Sequence, residues 1–359
     1  MIALNSPLKP DLKKLKKYLE RVNDNGWFTN FGPLHNELTD RLEDYLGVKN
    51  LLLVNNGTAA LQVAGRALGS ESILSTPFSF VATASAFKWQ KDELAFADID
   101  RASYNLCPKS VARAYQEGCK ADTVVATHVY GNPCDTSAFD ALKKENNFRI
   151  IYDAAHAFGI KLAGKSVLNH GDASTLSFHA TKIFHTVEGG AIVFKNSIDF
   201  DKAKELINFG MNSGSEITDV GINAKLNEYQ AAVGLVNLEQ INDVLEHRAE
   251  LFYQYREGLK NVVELQQWHP EANANGAYMP IKLDDTQQLA RVVQVLNEND
   301  IQSRHYFSPS LDNVFENSFS YSAGNSHEVS EGVLCLPMHS EMNNEDVKSV
   351  IKNVVSSIG

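Results

Sequence analysis

Between about Val48 and Phe194 the chain alternates short, strongly apolar runs with longer amphipathic segments, and this alternation limits the folds open to it. "NLLLVNN" reads as a strand, and "TAALQVAGRALG" as a helix ended by Gly69. "SILSTP" is a short strand stopped by Pro77, "FVATASAFKWQ" has helical spacing, and "ELAFADI" reads as a strand. "DTVVATHVYG" and "RIIYDAA" are apolar runs of buried strand type, with a helical "DTSAFDALKKENN" between them. Strands apolar on both faces and separated by helices predict an α/β fold, with a mainly parallel sheet covered on both sides. Such sheets bind ligands in the crevice beyond the carboxyl ends of their strands.

After about Lys225 the pattern changes. "LNEYQAAVGLVNLEQINDVLEHRAELFYQYREGL" predicts a long helical stretch. Beyond it come a strand, "AYMPIKL", a helix around "DTQQLARVVQVLNEND", and a closing helix from Asn344. Two domains are expected: a large α/β domain over residues 1–240 and a small C-terminal α+β domain over 241–359. A chain of 359 residues that is 43% hydrophobic can fill both cores. Its formal charge of -11 argues against a general nucleic-acid partner, but leaves room for a local basic pocket. No run approaches the ~20 apolar residues of a membrane span, and "MIALNSPLKPDLKKLKKYLE" has no continuous apolar signal core. The cysteines Cys107, Cys119, Cys134 and Cys335 show no CxxC spacing. A reducing, cytoplasmic setting is expected, with neither a membrane nor a metal involved.

Three stretches carry candidate chemistry. In "VNNGTAAL", Gly57 and Thr58 stand where a strand turns into a helix. Unpaired N–H groups and the positive end of the helix dipole make such a turn an anion site. A plain glycine turn with a threonine cap fits the same residues. The spacing matches neither the dinucleotide fingerprint nor the P-loop. In "IIYDAAHAFG", Asp153 directly follows a buried strand, where a lone carboxylate is costly and calls for a cation, a helix to cap or an ion pair. His156 lies three residues on, and either a structural or a catalytic role suits it. In "ASTLSFHATKIFHTVEGG", Lys182 follows an apolar run with Ser177 near its end. Most lysines are solvated, but one drawn into a desolvated site loses basicity and becomes a nucleophile. An anion cradle, a carboxylate and an amine at strand ends of one sheet match the phosphate, pyridine nitrogen and aldehyde of pyridoxal phosphate.

With "GWFTNFGPLHNELTDRLEDYLGVKNLLLVNNGTAAL", "TPFSFVATASA", "HVYGNPCD", "YDAAHAFG", "SFHATKIFHTVEGG", "NAKLNEYQAA" and "CLPMHSEMNNEDV", nearly the whole chain resembles the DegT/DnrJ/EryC1/StrS family of sugar aminotransferases. That family has the aspartate-aminotransferase-like fold, known as fold type I. The resemblance implies that Lys182 is the Schiff-base lysine, and that Thr58 and Ala59, beside Gly57, contact the phosphate together with Ser177. It implies that Phe80 lies over the cofactor ring, that Asp153 holds the pyridine nitrogen protonated, and that His156 lies near the phenolic oxygen. Asn227 is implied to reach the phosphate of a neighbouring subunit, because family members form dimers with shared sites. Two residues depart from the pattern: Asn56 stands where serine is commoner, and His156 where many relatives have glutamine.

The reaction implied is transfer of an amino group from L-glutamate to a keto sugar carried on a nucleoside diphosphate. Relatives that aminate carbon 4 tend to read Ser-Phe-His-x-x-Lys, as at Ser177–Lys182 here. Those that aminate carbon 3 tend to carry a proline there and a longer glycine-containing run. A dTDP-linked 4-keto-6-deoxyhexose is the expected acceptor, with a UDP-linked 4-keto sugar or a 3-keto sugar as alternatives. Family dehydratases carry histidine at the lysine position, so Lys182 argues against dehydration. A lyase or aldolase on amino acids, or a non-catalytic regulator on the same fold, are the remaining rivals.

Overall fold

The structure is a computed structural model and describes residues 1–358. The strands are β1 (Leu51–Val54), β2 (Ser72–Ser75), β3 (Glu93–Phe96), β4 (Thr123–Thr127), β5 (Arg149–Asp153), β6 (Lys161–Leu162), β7 (Lys165–Ser166), β8 (Ala173–Ser177), β9 (Gly190–Phe194), β10 (Met279–Lys282), β11 (Phe319–Ser320) and β12 (Val333–Leu336). Eight of them form one sheet in the order β1-β9-β8-β5-β4-β2-β3-β11. β9 is antiparallel to both its neighbours, and the other pairs are parallel.

Continuous burial explains the continuous apolar runs. Successive residues of β1 point to opposite faces: Leu51 and Leu53 join one apolar core, Leu52 and Val54 another. The first core includes residues of the helices Pro33–Leu46 and Glu228–Leu238, and the second those of Gly57–Leu68 and Ala82–Gln90. Farther along the sheet, β4 and β5 divide in the same way, with Val124 and Ile150 on one face and Val125 and Ile151 on the other. This is the helix-covered parallel sheet expected from the alternation.

The C-terminal part builds its own core around the antiparallel pair β10–β12 and the helices Thr286–Glu298 and Asn344–Ile358. The boundary expected at residue 240 falls on Gln240, which caps the helix Ile241–Leu259. That helix serves two cores, since Ile241 and Val244 pack with the large sheet and Leu251, Phe252, Tyr255 and Leu259 with the C-terminal cluster. The single long helical stretch predicted after Lys225 is two helices, Glu228–Leu238 and Ile241–Leu259. Neither proline nor glycine marks the break. Instead the N-terminal segment grips it: Glu239 accepts from Lys14 and Tyr18, and Gln240 donates to the Lys9 carbonyl. No described helix is long and apolar enough to cross a membrane.

Candidate active site

The carboxyl ends of the parallel strands converge on one edge of the sheet. Asp153 ends β5 and pairs in register with Thr127 of β4 and Thr175 of β8. Ser177 ends β8 opposite Gly190 of β9, which in turn faces Val54 at the end of β1. Above this edge lies a cavity of about 310 Å³, lined by Gly57, Thr58, Phe80, Asp153, His156, Ser177 and Lys182 among others. Seven of the sequence candidates thus share one site.

The helix Gly57–Leu68 begins at this cavity and is capped by Asn56, whose side chain accepts from the Ala59 N–H at 2.8 Å. Ala59 is therefore committed to the cap and does not line the cavity, whereas Gly57 and Thr58 do. First-turn N–H groups of this kind have no intrahelical acceptor and attract anions. Asparagine and serine are comparable N-caps, so Asn56 departs from the family pattern without changing its chemistry. Gly57 is required by close approach: a Cβ there would lie 2.8 Å from the Cβ of Ser177.

Asp153 is buried. Its carboxylate accepts from the Thr83 hydroxyl at 2.7 Å and from the Ala155 N–H at 3.1 Å. Desolvation is the largest influence and leaves its pKa raised, although those two hydrogen bonds and the nearby Lys182 charge pull it back down. Thr83 is itself held in a hydroxyl chain through Ser79 to Thr127. Among the described residues none forms a direct ion pair with Asp153, so its site has the chemistry to receive a cationic donor.

Lys182 is reached by the turn after β8, where its N–H donates to the His179 carbonyl at 2.8 Å. Its ammonium is held 5.9 Å from the Tyr278 ring centroid. Desolvation pushes its pKa down to about 8, opposed by the negative charge of Asp153 and by Tyr306. His156 is buried, with desolvation and then the Lys182 charge holding its pKa well below the usual range, so the ring is neutral. Phe80 is 51% exposed at the cavity rim and is no part of the core, unlike its neighbour Phe78.

Asn227 does not line the cavity of its own chain. It caps the helix Glu228–Leu238, accepting from the Gln230 N–H in a reciprocal capping box. Exposed Phe28 and Tyr229 rings pack edge to face beside it, 6.0 Å apart.

Sequence reasoning missed Thr83, Tyr278, Tyr306 and Phe307, all of which line the cavity. Thr83 had a local signal, one helical turn after Phe80 in "SFVAT". The other three come from the C-terminal part and carry no signal before the chain is folded.

The model of the DegT/DnrJ/EryC1/StrS aminotransferase family matches residues 11–355. A dTDP-4-amino-4,6-dideoxy-D-glucose transaminase of Shigella dysenteriae is 37% identical over 98% of this chain and 98% of its own length. A GDP-perosamine synthase of Vibrio cholerae is 31% identical over 82% of each. Among solved structures, DesI in the presence of its TDP-sugar product is similar with a TM-score of 0.92 at 29% identity, covering 99% of this chain and 92% of that one.

Proposed function

Because the chain belongs to the DegT/DnrJ/EryC1/StrS aminotransferase family, we propose that it moves an amino group from L-glutamate to carbon 4 of a nucleotide-linked 4-keto-6-deoxyhexose, dTDP-linked in the first instance. The product is a 4-amino-4,6-dideoxy sugar nucleotide. The enzyme is a pyridoxal-phosphate-dependent sugar aminotransferase, and the proposal extends to a homodimer with shared sites. One observation carries the reading: a desolvated amine, Lys182, shares a cavity with the buried carboxylate Asp153 and the open helix start at Gly57–Thr58.

These residues fit the cofactor. Gly57, Thr58 and Ser177 would hold its phosphate, Asp153 its protonated pyridine nitrogen, and His156 would lie near its phenolic oxygen. When bound, pyridoxal phosphate supplies an electron sink for the donor's α-carbon. Lys182 would be the covalent anchor, and its Nζ would take the proton from the donor's α-carbon and hand it back during the transfer. A pKa of about 8 leaves much of this amine neutral near physiological pH. The hydrogen bonds from Thr83 and Ala155 favour the charged form of Asp153 against desolvation and would aim it at the ring nitrogen. Phe80, at the rim, would cover the ring.

The choice of dTDP follows the transaminase of Shigella dysenteriae, and the relative named GDP-perosamine synthase makes a GDP-linked sugar a necessary arm of the test. Purified enzyme is incubated with glutamate and dTDP-, UDP- or GDP-linked 4-keto-6-deoxyhexoses, and the products are assigned by NMR. Nitrogen on carbon 4 of the dTDP sugar is expected. Nitrogen on carbon 3, or no product with any 4-keto sugar nucleotide, refutes the reading.

A further inference from the structure

Four of the cavity's walls, His156, Tyr278, Tyr306 and Phe307, meet behind the cavity on one residue that does not line it, Tyr130. Tyr130 follows β4 in "HVYGN" and is fully buried. Its backbone has φ 60° and ψ 11°, a left-handed conformation that bulky residues rarely adopt. That conformation aims its N–H at His156 Nδ1, 3.3 Å away. Its hydroxyl donates to the carbonyl of Tyr306. Its ring stacks on Phe307 at 5.5 Å and 8°, and tilts against Tyr278 at 5.5 Å.

We infer that Tyr130 is a positioning residue for two walls at once, its N–H fixing the tautomer of His156 and its hydroxyl fixing the Tyr306 segment. A ring nitrogen that accepts a hydrogen bond carries no proton, so Nδ1 is bare and the neutral ring bears its hydrogen on Nε2. His156 is then a neutral N–H donor toward the cavity, as the amide of a glutamine would be. This accounts for histidine standing where relatives carry glutamine. The ring is clamped in place by Phe307, parallel at 5.8 Å, and by Tyr278, edge-on at 4.7 Å. Burial of His156 is consistent with the neutral form. The Tyr306 half of the inference rests on the aminotransferase reading above, because its test is read in the KM for the sugar nucleotide. The His156 half does not.

The two halves separate experimentally. Holoenzyme labelled with 15N-histidine is examined by long-range 15N–1H correlation. One ring signal should show the neutral Nε2–H form, stay fixed between about pH 6 and about pH 8.5, and vanish in His156→Gln. A charged or Nδ1–H ring overturns this half. Tyr130→Phe keeps the ring and the N–H but removes the hydroxyl. It should melt near the wild-type temperature, keep the histidine signal, and leave the single-turnover half-reaction with glutamate unchanged. KM for the sugar nucleotide should rise about tenfold, the loss of roughly one buried hydrogen bond. Unchanged KM, or equal loss in both half-reactions, overturns the second half. Wild-type enzyme inert toward every sugar nucleotide refutes the aminotransferase reading and the Tyr306 half with it, while the histidine spectrum still decides the other.

Discussion

Lys182 and Asp153 share the cavity, and each biases the other's proton. The amine is reactive only when neutral, and desolvation brings its pKa down to about 8 from 10.5. Capture of pyridoxal phosphate by cofactor-free protein should therefore speed up as pH rises to about 8 and then level off, as stopped-flow absorbance would record. A rate still climbing toward pH 10.5 would show a solvated lysine. The Asp153 charge raises the lysine's pKa, so Asp153→Asn should move the midpoint lower. The same substitution should cost about 2–4 kcal/mol in the transition state, roughly 30- to 1,000-fold in kcat. Near-normal kcat would mean that another group holds the ring nitrogen. Lys182→Ala should abolish turnover and the cofactor's lysine-linked absorbance, while still binding pyridoxamine phosphate. These two residues were legible because Asp153 closes an apolar strand run and Lys182 comes shortly after another. Thr83 was harder to see: its hydroxyl matters only because the fold brings the helix Ala82–Gln90 beside the end of β5, more than a sheet strand away in sequence.

Among the elements, the helix start at Gly57 is the most exacting. It approaches β8 so closely that a Cβ at Gly57 would lie 2.8 Å from Ser177. Gly57→Ala should push the first turn away and weaken pyridoxal phosphate binding by about tenfold, measured by fluorescence titration against cofactor-free protein. Asn56→Ala should cost about 1 kcal/mol through the lost cap, whereas Asn56→Ser should be close to neutral. If Asn56→Ser is as damaging as Asn56→Ala, asparagine does more than cap. Strands β1 to β5 and β8 could be read from the chain because burial on both faces leaves continuous apolar runs, whereas β6 and β7, two residues each with one exposed, leave none. Strand direction could not: "AIVF" has the same composition whether β9 runs with its neighbours or against them. Nor could β11, whose two residues, Phe319 and Ser320, are too short for any periodicity. The break at residues 239–240 was hidden for a different reason, since its partners Lys9, Lys14 and Tyr18 lie at the other end of the chain.

At the scale of the whole molecule, the open question is where Asn227 acts. Within one chain it is a helix cap beside the exposed rings of Phe28 and Tyr229, outside the cavity. Exposed Ile217, Val220 and Ile222 precede it in the chain. A second copy seated there would let Asn227 complete the phosphate site of its partner, as the family resemblance implies. Asn227→Asp tests this cleanly. Aspartate preserves the acceptor for the Gln230 N–H, so the helix stays capped, but it brings a negative charge toward a phosphate. Alone, this variant should bind cofactor weakly at both sites, and Lys182→Ala should be inactive at both. Mixed and allowed to exchange subunits, they form hybrids with one restored site, in which an intact Lys182 on one chain faces an intact Asn227 on the other. Activity should recover toward half that of wild type per hybrid dimer, read by coupled assay alongside mass spectrometry of the exchanged species. Confirmed exchange without recovery would place Asn227 in its own chain's site or in none, and leave its role as a cap.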